Sequence, residues 1–134
     1  MSARHLTAGI LALSVAFLAV PAAGQEQTVK RTELMRVPIE GFEGKEAVIY
    51  TAEFAPGATA PRHSHPGQEF IYGLQGTLII EPDGGPAQTV TAGETVTQPP
   101  NHVHGARNGS TSESGKALVF LLADKGKPLA IPAQ

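Results

Sequence analysis

The sequence predicts an all-β sandwich or barrel, and three observations point there. First, the 134 residues include 15 Gly and 11 Pro but only 16% charged residues, a balance that favours short strands and turns over long salt-bridged helices. Second, short runs rich in β-branched and aromatic residues recur between Gly, Pro, Asn and Asp turn signals. Third, no segment carries a convincing helical period. The length suits one compact core.

Taken in order, Arg4 and His5 precede an apolar stretch, Leu6 to Val20, and the small residues Ala22, Ala23 and Gly24 follow Pro21. A positive start, an apolar middle and a small-residue exit predict a secretory signal peptide over residues 1–24. The stretch falls short of the roughly 20 residues a spanning helix needs. The expectation is therefore a periplasmic or secreted protein of residues 25–134, with no membrane span after cleavage. No Arg-Arg pair marks a twin-arginine signal, so export by the general route delivers an unfolded chain.

Residues 25–33 read as a polar lead-in. Ala47 to Phe54 reads as a strand that Pro56-Gly57 ends. Phe70 to Leu74 and Thr77 to Glu81 read as two strands around Gly76. Pro82-Asp83-Gly84-Gly85 predicts a turn, with Gln88 to Thr91 as the hairpin partner of the strand before it. Thr95 to Gln98, Val103 to Asn108 and Ala117 to Leu122 complete the set, the last two separated by a solvated loop. The tail from Asp124, with two prolines, reads as irregular.

A formal charge of −2 offers no basic face for nucleic acid. With no Cys, the chain has no disulfide, thiolate zinc site, iron–sulfur cluster, Cys nucleophile or lipoprotein anchor. Gly84-Gly85 lacks the Lys-Ser/Thr partner of a phosphate loop, and no Gly-x-Ser-x-Gly is present. The histidines carry the chemistry. His63-Ser64-His65 and His102-Val103-His104 are two His-x-His pairs, and Glu69 follows His65 by four residues. Residues two apart on a strand share a face, so each pair can present two imidazoles in one direction. Imidazole and carboxylate together suit zinc, copper, nickel, iron or manganese.

Two longer patterns surround these pairs. Gly57, His63, His65, Glu69 and Gly76 resemble the first cupin motif in spacing, over residues 57–76. Gly93, Pro99, His104 and Asn108 resemble the second, over residues 93–108, except that Asn101 stands where the pattern has glycine. That position needs a positive φ, which Asn tolerates better than most residues.

This resemblance to the cupin superfamily, in its small quercetinase-like single-domain form, implies a jelly-roll β-barrel over residues 25–134. It implies one divalent transition metal per chain held by His63, His65, Glu69 and His104, with one or two positions open to a small molecule. Glu69 would also be the catalytic base. Gln68, His102 and Asn108 are the candidates for outer support around that site. The resemblance implies an enzyme with dioxygenase-like chemistry on an enolic or phenolic substrate, or lyase or isomerase chemistry with the same ligands. The alternative is a non-catalytic module that binds or senses a metal or small ligand. A chain metallated after export should take copper or zinc by competition, whereas iron, manganese or nickel would need help. Pairing of edge strands makes a homodimer compatible with this reading. Inward-facing Ile71, Gly73 and Ala106 suggest an uncharged ligand rather than a phosphate.

Overall fold

The computed structural model describes residues 29–134, and the signal peptide read over residues 1–24 lies outside them. Among the described residues there are ten strands and no helix, as the composition predicts. One sheet runs in the spatial order β1 (Val29–Pro38), β2 (Lys45–Phe54), β9 (Gly115–Asp124), β4 (Gly67–Gln75) and β7 (Thr95–Gln98). The second runs β10 (Ile131–Pro132), β3 (Thr59–Ser64), β8 (His104–Asn108), β5 (Thr77–Pro82) and β6 (Gln88–Thr91). All pairings are antiparallel.

Strand alternation builds the interior. Val48, Tyr50, Ala52 and Phe54 of β2 point inward beside Ala117, Val119 and Leu121 of β9 and Ile71 of β4. Leu78, Ile80, Val90 and Ala106 of the second sheet join the same core. Full burial of a Val or Leu side chain is worth roughly 1.5–3 kcal/mol, so this face fixes the register of both sheets. Gly76, at φ +67°, carries the chain from β4 in one sheet to β5 in the other. Asn101 adopts φ +60°, which is the backbone the sequence comparison required of it.

Three elements differ from the sequence expectation. From Val29 onward the polar lead-in is a strand, β1, paired along β2, where the sequence reading placed none. Its charged and polar side chains are mostly exposed, so it carries no apolar alternation to betray it. The segment Thr59–Ser64 is a strand despite Pro61, with a register shift between Ala60 and His63 absorbing the proline. The tail returns as β10, which pairs Ile131 with Ser64 and Pro132 with His63.

One side chain ties the long polar loop to the barrel. Asn108, buried at the end of β8, donates through Nδ2 to the carbonyls of Phe54 (3.3 Å), Ala55 (3.0 Å) and Glu113 (2.7 Å). Its Oδ1 accepts the Ser110 N–H at 2.9 Å. The next amide, Gly109 N–H, donates to Thr77 O at 2.8 Å.

Candidate metal centre

His63 lies on β3, His65 follows it, Glu69 lies on β4 and His104 opens β8. His63 and His104 are register partners across β3 and β8, which sets their imidazoles side by side. Ring centroids of the three histidines are 4.7–5.3 Å apart. Each offers a nitrogen within 4.8 Å of the other two, and all three side chains are buried. His102 does not join them.

The backbone sets the tautomer of each ring. His63 Nδ1 donates to Pro61 O (2.6 Å), His104 Nδ1 to His102 O (3.2 Å) and His65 Nδ1 to Leu129 O. With Nδ1–H committed to a carbonyl, each Nε2 keeps its lone pair for the cavity. Burial pushes the His65 imidazole down to about 3 and that of His104 to about 4, and lowers His63 as well. Neutral rings with an unprotonated Nε2 are the form a transition metal binds.

Glu69 lies beside two of the three rings, His65 and His104, while the group whose ligand atoms all lie within 4.8 Å of one another is the three histidines without it. Glu69 Oε1 lies 3.2 Å from His65 Nε2 and its Oε2 lies 3.4 Å from His104 Nε2. Tyr50 donates its hydroxyl to Oε1 at 3.2 Å. Burial pushes the Glu69 carboxyl up to about 7, against the opposing pull of the Tyr50 hydrogen bond and the Arg31 charge. Burial, and then the Glu69 carboxylate, hold the Tyr50 phenol far above its ordinary range, so Tyr50 stays a neutral donor. His65 Nε2 and Glu69 Oε2 are buried without a hydrogen-bond partner, an arrangement that costs free energy unless something binds between them. Three neutral imidazoles with a carboxylate beside two of them, one ring nitrogen and one carboxylate oxygen among these being unpartnered, fit a divalent transition metal.

The cavity is small, about 30 Å³, and its walls include Ile71, Leu78, Ile80 and Ala106. Two further polar residues line it. Tyr50 sits in the inward series Val48, Tyr50, Ala52, where strand alternation could have flagged its hydroxyl. Arg31 comes from β1, where no sequence signal marked a strand. The three residues proposed for outer support face other partners. His102 Nε2 donates to Asp83 O at 3.0 Å, although its backbone carbonyl holds His104. Gln68 bonds Thr97 Oγ1 and Gln98 O, and Asn108 clamps the loop described above. His102→Ala is therefore expected to leave metal stoichiometry unchanged and to cost about 1 kcal/mol of stability. Metal analysis and urea unfolding of the variant check both.

The cupin domain family model matches residues 50–121, which include all four residues of the cluster. The chain belongs to the cupin family. Comparison with curated protein sequences gives no match. Among solved structures, this cupin is similar to a cupin-like protein from Thermotoga maritima, at 25% identity and a TM-score of 0.62, covering 78% of this chain and 75% of that one. It also superposes on DMSP lyase DddQ from Ruegeria pomeroyi, at 20% identity and a TM-score of 0.64, covering 85% of this chain and 55% of that one. An oxalate oxidase in complex with the substrate analogue glycolate matches at 24% identity and a TM-score of 0.64, covering 81% of this chain and 56% of that one. These last two share the fold, and the present cupin spans just over half of each.

Proposed function

We propose that this cupin is a metal-dependent enzyme acting on a small molecule, with His63, His65, His104 and Glu69 holding one divalent transition metal per chain. The convergence of the buried His65 Nε2 and Glu69 Oε2, both without hydrogen-bond partners, carries the reading. The ion would supply Lewis-acid polarisation of a substrate oxygen. Glu69, oriented by the Tyr50 hydroxyl, accepts the proton that an enol or phenol must lose. Aliphatic walls keep bulk water from the reacting group. The reaction class is dioxygenase-like chemistry on an enolic or phenolic substrate, with dioxygen as the second substrate.

The narrowness of the cavity favours a second reading, a periplasmic module that binds a metal or small ligand without turnover. A chain metallated after unfolded export takes copper or zinc by competition.

Metal analysis of mature protein from the periplasm, beside a His63→Ala/His104→Ala double variant, tests the first step. About one copper or zinc per chain is expected, with none in the variant. A wild type that arrives empty and refuses added metals would overturn the metalloenzyme reading, and one filled with manganese or iron would overturn the competition argument. Oxygen uptake on enolic substrates then separates the enzyme from the binding module.

A further inference from the structure

Among the described residues lining the cavity Arg31 is the one cation, and although its charge is felt by Glu69 and Tyr50 it forms an ion pair with neither. It lies on β1 directly opposite Ala52 of β2. Residues opposite each other in an antiparallel pair share a face, and Ala52 faces inward. Arg31 therefore enters the barrel over the smallest inward side chain of β2, between Tyr50 and Phe54. Its Nε is buried without a hydrogen-bond partner, and no ion pair among the described residues includes it. Among the described residues the only carboxylate lining the cavity is Glu69, and its oxygens face His65, His104 and Tyr50.

Arg31 is half-buried with its Nε shut away from water and unpartnered, and the planar fork of Arg matches a carboxylate bidentately. With a divalent ion bound, Glu69 neutralises one charge and Arg31 adds one, so the cavity keeps an excess of two positive charges. We propose that Arg31 anchors the carboxylate of the substrate and makes the site selective for short hydroxy or enolic acids. This rests on the metalloenzyme reading above and names its substrate class. It also replaces the expectation of an uncharged ligand, which came from Ile71, Gly73 and Ala106 without Arg31 in view. A cavity of about 30 Å³ has room for one or two waters, so the acid must be short and must displace them, with its carboxylate at the half-buried Arg31.

The test is calorimetric titration of zinc-loaded mature protein with glycolate, with its neutral amide glycolamide, and with inorganic phosphate, in wild type, Arg31→Gln and Arg31→Lys. Zinc per chain is measured on every sample. Glycolate should bind wild type at least tenfold more tightly than Arg31→Gln at equal zinc content, with Arg31→Lys between them because it keeps the charge and loses the fork. Glycolamide should bind wild type as weakly as glycolate binds Arg31→Gln. Equal glycolate affinity in wild type and Arg31→Gln would mean that the metal alone holds the acid, and the proposal would fall. It would fall too if glycolamide matched glycolate or if phosphate bound more tightly. Should wild type take up no zinc, the metalloenzyme reading fails by itself. The same glycolate comparison on metal-free wild type and Arg31→Gln then still decides the role of Arg31.

Discussion

Chelator-treated Glu69→Gln protein is expected to be more stable than chelator-treated wild type at pH 8, by up to about 3 kcal/mol, while binding metal far more weakly. Without an ion beside it, the folded chain holds the Glu69 proton up to about pH 7, against an ordinary value of 4.5. The folded state therefore binds more protons than the unfolded state across that window, and stability falls as pH rises through it. By pH 8 the penalty is nearly complete, and the span from the ordinary value corresponds to about 3 kcal/mol. His65 and His104 act in the opposite sense. Their folded values are lowered to about 3 and 4, so the unfolded chain takes up more protons below 6.5. The stability they give is full above 6.5 and is lost as pH falls toward those values. Metal-free wild type is thus squeezed from both sides, and Glu69→Gln removes the alkaline limit alone. Urea unfolding of both proteins at pH 6 and pH 8 reads the difference. An equal change between the two pH values in both proteins would contradict the account. Loss of a partner outside the ligand set costs metal sites roughly 10- to 100-fold, and loss of the Glu69 carboxylate should exceed that.

The second large effect is structural. Gly67→Ala should prevent folding. Gly67 opens β4 opposite Ala123 of β9, and a Cβ there would overlap the carbonyl of Leu122 and crowd the Cα of Ala123. Neither atom can yield, because β9 lies inside its sheet with β2 on its other side. The expected cost lies beyond the 4–5 kcal/mol that marks an exceptional substitution. Gly85→Ala is the control, since its Cβ would meet only Pro82 Cγ at an ordinary 3.5 Å. Circular dichroism should show a folded control and an unfolded Gly67→Ala. A Gly67→Ala protein with wild-type signal and urea midpoint would refute the close approach. The position matters to the site because Glu69 stands two residues along the same strand.

What could be read beforehand follows from where apolar side chains fall. β2, β5 and β9 alternate or run apolar, and Gln88–Thr91 and Thr95–Gln98 were bounded by Gly and Pro signals, so pattern alone located them. β1 was illegible because an edge strand with Lys30, Thr32, Glu33 and Arg36 turned largely to water has no buried stripe. β3 was hidden by Pro61 and by histidines that are inward for a reason other than hydrophobicity. At the centre, spacing and resemblance singled out His63, His65, Glu69 and His104. The carbonyls of Pro61, Leu129 and His102 that orient the rings could not be read, since a backbone oxygen leaves no mark in a sequence. Arg31 was missed for the same reason as its strand.

Asn108 and Gly109 form the dipeptide whose side chain and following amide cyclise most readily to a succinimide as proteins age. Here both reacting groups are engaged in hydrogen bonds elsewhere. The Asn108 amide is spread over Phe54, Ala55 and Glu113, and the Gly109 nitrogen that would attack it is bound to Thr77. Chemical lifetime at this bond is thereby coupled to the opening of β8 from β5. Deamidation at Asn108 should therefore be slow while β8 and β5 stay paired inside their sheet.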